Sequence, residues 1–156
     1  MFLFCFCSKH SSVLLGVTGM LLLVSTRPCL FIIRLINTST PIDELVICSL
    51  NVRGLSNTLK RRETFRWLRM KKFSIFFLQE VHCTKEKEPL WSSEWGCSAF
   101  FSSLSSASAG VCILFNNNFE FQVMRQFSDP EGRFIIIDIK IENKIITFSK
   151  HLCTEP

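Results

Sequence analysis

From Leu45 onward the chain is a series of short apolar runs cut by polar breaks. Leu45 to Leu50 has the length and composition of a buried strand, and Phe73 to Leu78 of a second. Between them, Asn51 to Asn57 contains Gly54, Ser56 and Asn57 and reads as a loop. Lys60 to Lys72 predicts an amphipathic helix, with Leu59, Phe65, Leu68 and Met70 as a rough apolar stripe and Lys60, Arg61, Arg62, Arg66 and Arg69 around it. Strand, helix, strand in that order makes a parallel βαβ unit with an expected right-handed crossover. The first strand stops at Asn51 and the second at Glu80. Parallel neighbours would bring this amide and this carboxylate to one edge of a sheet, the edge where open α/β sheets place ligands.

The later pattern is strand-rich. Residues 81–96 read as a loop carrying Trp91 and Trp95, followed by a strand at Ser98 to Phe101 and a serine-rich loop at Ser102 to Ser108. Gly110 to Phe115 predicts a strand, Asn116 to Asn118 a turn, and Phe119 to Val123 another strand. Asp129-Pro130-Glu131-Gly132 has turn chemistry. Phe134 to Lys140 and Lys144 to Phe148 then form a hairpin around Glu142-Asn143. No repeat is visible.

Residues 1–44 follow a different pattern. Val13 to Val24 is apolar, and no charge falls between Ser11 and Thr26. The run is shorter than the roughly 18 apolar residues of a membrane span. With Lys9 ahead of it, it resembles the apolar core of a secretory signal, although Phe2, Leu3, Phe4 and Phe6 occupy the place of a charged start. Two readings stand side by side: an extension with no targeting role, and a signal or membrane anchor using residues 11–26. Thr38 to Pro41 breaks the pattern. The chain thus divides into an apolar extension (1–44), a domain (45–148) and a divergent tail (149–156).

Composition changes this picture little. The 156 residues suit one domain. Mean hydropathy is +0.28, apolar for a soluble protein. A net charge of +5 fits a polyanionic partner such as nucleic acid, and equally an ordinary basic domain. There is no tyrosine, so no phenol can act at any site in this chain. The eight cysteines form no Cys-x-x-Cys pair, the spacing that zinc sites favour. Cys48 and Cys112 lie inside apolar runs, where a thiol behaves as a small hydrophobe.

Five segments, in order, resemble one family. They are Ser49-Leu50-Asn51-Val52-Arg53-Gly54-Leu55, Leu78-Gln79-Glu80-Val81-His82, Trp91 with Glu94-Trp95, Gly110-Val111 with Ile113-Leu114-Phe115, and Asp129-Pro130-Glu131-Gly132-Arg133-Phe134. Together they resemble the endonuclease/exonuclease/phosphatase superfamily, in particular the endonuclease domain of LINE-type (non-LTR) retrotransposon polyproteins. The resemblance covers roughly residues 45–148. It implies an α/β fold, here the first half of a four-layer α/β sandwich, and Mg²⁺-dependent (or Mn²⁺-dependent) phosphodiester cleavage. It places the metal on Glu80, with Asn51 holding metal and phosphate. A hard cation that keeps several waters needs only one protein carboxylate. Nucleic acid, DNA foremost, becomes the implied partner, and no small-molecule cofactor is implied. The nucleus or cytoplasm follows from the family, and a secretory route from the N-terminal run.

The surrounding residues stay open. Arg53 reads equally as a phosphate contact and a loop charge. Lys60, Arg61 and Arg62 read as a solvated helix face, or as contacts to a nucleic-acid backbone. Trp91 and Trp95 are expected in the core, and His82 is expected to be non-catalytic. Lone His10 and His151 have no supporting context.

The resemblance also implies motifs that the 156 residues do not contain: an asparagine-tyrosine loop, Gly-Asp-Phe-Asn and Ser-Asp-His. Those would supply the water-orienting aspartate and the phosphate-stabilising histidine. One acid–base group is worth about 10²–10⁴-fold in rate, so a truncated domain with little or no activity of its own is expected. Half a sandwich would also leave a sheet face without its partner sheet, exposing an apolar patch on the order of several hundred Å². Three other functions remain: a nuclease completed by another fragment, a non-catalytic nucleic-acid-binding remnant, and a secreted or membrane-associated peptide.

Overall fold

The computed structural model describes residues 2–6, 20–27, 30–37, 45–107, 109–117 and 120–152. Among these residues ten strands form two sheets. The chain runs through β1 (Phe2–Phe6), β2 (Met20–Arg27), β3 (Leu30–Asn37), β4 (Leu45–Asn51), α1 (Thr58–Met70) and β5 (Ile75–Gln79). A single 3₁₀ turn (Lys85–Lys87) leads into α2 (Glu88–Trp95). Then come β6 (Ala99–Ser102), β7 (Val111–Phe115), β8 (Gln122–Ser128), β9 (Phe134–Ile141) and β10 (Lys144–His151). One sheet has the order β2-β3-β4-β5-β7-β6, the other β1-β10-β9-β8.

The expected βαβ unit is present. β4 and β5 pair in parallel, with Asn51 opposite Gln79, so both chains leave the sheet at the same edge. Each is buried on both faces, which is why each reads as an unbroken apolar run. On one face, Leu45, Ile47, Ile75, Phe77, Ile113 and Phe115 meet Ile135, Ile137, Ile139, Ile146 and Phe148 of the other sheet. On the other face, Phe76, Leu78, Cys112 and Leu114 meet Phe65 and Leu68 of α1 and Trp91 and Trp95 of α2. This is an α/β arrangement of two packed sheets with helices on one side, matching the expected partial sandwich.

Several sequence expectations need correction. Residues 81–96 are not all loop: α2 occupies Glu88–Trp95, with Pro89 in its first turn and Gly96 closing it at φ +79. The strand expected at Phe119 to Val123 is β8 at Gln122–Ser128, an exposed edge strand whose place is set by pairing with β9 rather than by its own pattern. The apolar stripe of α1 is also different. Leu59 and Met70 are 72% and 73% exposed, and the buried residues are Arg61, Phe65 and Leu68. β10 runs on through Ser149, Lys150 and His151, which sequence reading assigned to a tail.

The inner face of the six-stranded sheet does have a partner sheet, contrary to expectation. On the outer side of the four-stranded sheet Phe127 and Ile145 are exposed, whereas Asp138, Thr147 and Ser149 are buried. A cleft of about 510 Å³ there is lined by Arg125, Phe127, Ile136, Asp138 and Thr147. Asp138 accepts hydrogen bonds from Thr147 and Arg125, which hold its carboxyl below the usual range.

The backbone of the N-terminal strands adds to both sheets: β1 lies parallel to β10, and β2 and β3 extend the sheet antiparallel beyond β4. Residues 11–19 of the signal-like run lie outside the described residues. Among the described residues no helix is long and apolar enough to cross a membrane.

Candidate metal and phosphate site

Asn51 is the last residue of β4, and Glu80 follows the last residue of β5. Parallel pairing brings their side chains together, with Asn51 Nδ2 donating to Glu80 Oε1 at 2.6 Å. Asn51 Oδ1 accepts the Arg53 backbone N–H at 2.9 Å, so the amide is held at both ends. Both side chains are half-buried. Among the described residues, nothing donates to the second oxygen of Glu80.

The backbone here is unusual. Arg53, Glu80 and His82 have φ of +48°, +55° and +56°. Non-glycine residues hold such values only where the surroundings enforce them, and such positions gather at functional sites. Val52 N–H donates to Gln79 O (3.0 Å), Gly54 N–H to Glu80 O (2.6 Å) and Leu55 N–H to Val81 O (2.9 Å). The two loops that leave the parallel strands thus continue to pair with each other.

The other proposed contacts fall differently. Arg53 is exposed beside the pair, and its guanidinium has no partner among the described residues. Lys60 Nζ donates to Val52 O (2.9 Å) and Arg53 O (2.8 Å), tying α1 to the loop of Asn51. Arg62 is 68% exposed, with Glu94 Oε1 at 3.5 Å. Arg61 corrects the reading of a solvated basic face. It is buried, pairs with both oxygens of Glu94 (2.6 and 3.1 Å), donates to Leu55 O (3.1 Å) and lies 4.7 Å over the Trp91 ring. It cannot also face a phosphate. Trp91 and Trp95 are buried in the core, as expected. His82 packs against Gly54, where an added Cβ would lie 2.8 Å from its Nδ1. His10 lies outside the described residues.

Sequence reading missed Lys150. It is wholly buried between the sheets, and its Nζ donates to Gln79 Oε1 (2.8 Å) and Ser49 Oγ (3.1 Å). These partners precede Glu80 by one residue and Asn51 by two, so the amine braces both site strands from below. The signal was available: Ile146, Phe148 and Lys150 alternate onto one face of β10. His151, beside it, accepts or donates a bond to Ser149 Oγ (2.6 Å) and stacks on Phe134; burial pulls its pKa down.

Among the described residues the buried cysteines carry no chemistry of this kind. Cys48, Cys83 and Cys112 are buried free thiols, and burial raises their pKa, to about 12 for Cys48 and about 11 for Cys83. They stay protonated and unreactive at neutral pH. Among the described residues no three His, Cys, Asp or Glu side chains gather as a ligand cluster.

A pair of parallel strand ends carrying Asn and Glu, on two packed sheets flanked by helices, defines a class. The model of the Endonuclease/Exonuclease/phosphatase family matches residues 48–152, and the chain belongs to that family. It is also 34% identical over 96 residues to the Transposon TX1 uncharacterized 149 kDa protein of Xenopus laevis, a match covering 62% of this chain and 7% of that protein. The chain therefore spans a small fraction of that relative's length.

The family is generally dependent on a divalent metal. The donor that fits a hard cation is the Glu80 carboxylate; the Asn51 amide turns its Nδ2 to Glu80 and its Oδ1 to the Arg53 N–H. One carboxylate with water completing the shell is the usual Mg²⁺ arrangement. Glu80 would hold the ion and Asn51 would orient Glu80.

Proposed function

We propose that this chain carries the metal-binding half of a Mg²⁺-dependent (or Mn²⁺-dependent) phosphodiester hydrolase of endonuclease type, of retrotransposon origin and directed at DNA. The observation that carries this is the Asn51–Glu80 contact at adjacent parallel strand ends, inside the family match. When bound, the metal would neutralise charge on the phosphate and the leaving oxygen. The chain's own residues do the rest: Glu80 anchors, Asn51 fixes the carboxylate rotamer, and exposed Arg53 stands where a phosphate oxygen would arrive. Among the described residues no cluster of acidic, His or Cys side chains gathers with Glu80 to activate water, and these 156 residues alone are expected to cleave little or nothing.

Two measurements test this. Mn²⁺ binding, followed by electron paramagnetic resonance, should be lost in Glu80→Ala; unchanged affinity would refute the metal assignment. Plasmid nicking in Mg²⁺ should stay at background. Nicking that disappears in Glu80→Ala would instead show an active enzyme.

One observation favours a second reading, nucleic-acid binding without cleavage. The outer face of α1 exposes Arg62 and Arg66, with Lys72 just beyond the helix. Binding through them would weaken with salt at a log–log slope of about −0.9 per duplex phosphate contacted. Salt-sensitive DNA binding that survives Glu80→Ala would support this reading.

A further inference from the structure

We propose that Gly110, Gly132 and the Asp129–Arg133 turn are positioning residues for Glu80, forming a backbone relay that holds the metal carboxylate in its left-handed conformation. This rests on the reading of Glu80 as the metal anchor.

The relay crosses the end of both sheets. Glu80 sits at φ +55, a value that a glutamate abandons unless the residues around it are fixed. On one side the loop of Asn51 fixes it, through Gly54 and Leu55. On the other side Val81 N–H donates to Gly110 O and His82 N–H to Ala109 O, both at 3.1 Å. Gly110 N–H donates in turn to Gly132 O at 3.2 Å. Gly132 belongs to the turn before β9, so this last bond reaches from the six-stranded sheet to the four-stranded one.

The far end of the relay is clamped. Gly132 N–H donates to Asp129 O (3.0 Å), which also accepts Ser102 Oγ (2.7 Å). The Asp129 carboxylate takes the Arg133 backbone N–H and two guanidinium N–H groups, at 3.1, 2.7 and 3.0 Å. The turn therefore presents its Gly132 carbonyl in one direction.

Glycine is required at both steps. Gly110 (φ +90) would place a Cβ 2.9 Å from Val81 Cγ2, against the residue that follows Glu80. Gly132 (φ +69) would place one 3.1 Å from Leu104 N and Cβ and 3.3 Å from Gly110 N, across the bond it makes. Of the nine residues with positive φ among those described, seven are Arg53, Gly54, Glu80, His82, Ala109, Gly110 and Gly132, all in this relay. Gly96 stands apart at φ +79, and a Cβ there would meet nothing within 4 Å. It supplies the control: the same backbone strain with no connection to the site.

The experiment compares Mn²⁺ affinity and thermal midpoint in the 156-residue chain and four variants. Gly132→Ala should raise the Mn²⁺ dissociation constant about tenfold, the scale on which supporting contacts of a metal ligand act. Asp129→Asn, which adds no heavy atom, should raise it a few-fold. Gly96→Ala should lower the thermal midpoint and leave Mn²⁺ affinity unchanged. Glu80→Ala sets the scale by losing the ion. If Glu80→Ala loses Mn²⁺ while Gly132→Ala and Asp129→Asn bind as the parent does, the relay is refuted and the metal assignment stands. If Glu80→Ala binds normally, both fall. Should Gly132→Ala fail to fold by circular dichroism, Asp129→Asn decides alone: a parental affinity refutes the relay, and a weakened one supports it.

Discussion

Replacing Arg61 with leucine lowers stability by about 3 kcal/mol, toward the lower end of the cost of breaking a buried ion pair. The effect is large because Arg61 satisfies three groups at once: the Glu94 carboxylate, the Leu55 carbonyl and the face of Trp91. Leucine leaves the first two without their donor. The cost stays below the maximum because Glu94 keeps 14% exposure and gains some hydration. In a chain of this size that loss corresponds to roughly 6–12 °C in thermal midpoint. Arg62→Leu, one residue away but 68% exposed, should cost less than about 1 kcal/mol. Urea denaturation of the two variants side by side checks this, and equal losses would refute the buried role.

The same pair has a signature in acid. Hydrogen bonding to Arg61, chiefly, lowers the Glu94 pKa from its usual 4.5. A carboxyl whose folded pKa lies below its unfolded one stabilises fully above the unfolded value, and that contribution is lost as pH falls through the folded one. The parent chain should therefore lose this stability below about pH 4.5. Arg61→Leu should lose less over that interval, because it has already forfeited the pair.

Arg61 also shows where sequence reading stops. Its helix was legible, because Phe65 and Leu68 recur at helical spacing. Its burial was not, because the partner that permits it, Glu94, is 33 residues away on an element read as loop. Asn51 and Glu80 were legible for the opposite reason. Each terminates a fully apolar run, and parallel pairing of two such runs dictates their meeting without any distant partner. Lys150 fell between these cases: alternation along β10 puts it on the inward face, but a buried lysine needs Ser49 and Gln79, 101 and 71 residues away, and only the packed sheets supply them. β8 was misplaced because an edge strand with both faces exposed has no apolar alternation to read.

α2 was misread although its punctuation was present, a proline in the first turn and a glycine just past the end. Trp95 is what makes that short helix matter, and Trp95→Ala should be as damaging as any substitution in the core. The side chain is 1% exposed, meets Phe65 and Phe76 edge-on at 5.6 and 5.8 Å, and donates Nε1–H to Phe115 O at 2.9 Å. Truncation removes the ring and the donor that it gives to the carbonyl at the end of β7. About 3–5 kcal/mol is expected from the cavity. Trp95→Phe keeps most of the ring and loses the donor, and should cost about 1–3 kcal/mol. The two variants separate ring volume from hydrogen bond in one denaturation series. Equal losses would assign the effect to the Phe115 carbonyl. A loss under about 1 kcal/mol for alanine would mean that α2 does not seat β5, against the cavity cost expected for a buried tryptophan. Because Phe76 lies on β5, four residues before Glu80, a well-seated α2 is also what keeps that strand, and the carboxylate at its end, in register with Asn51.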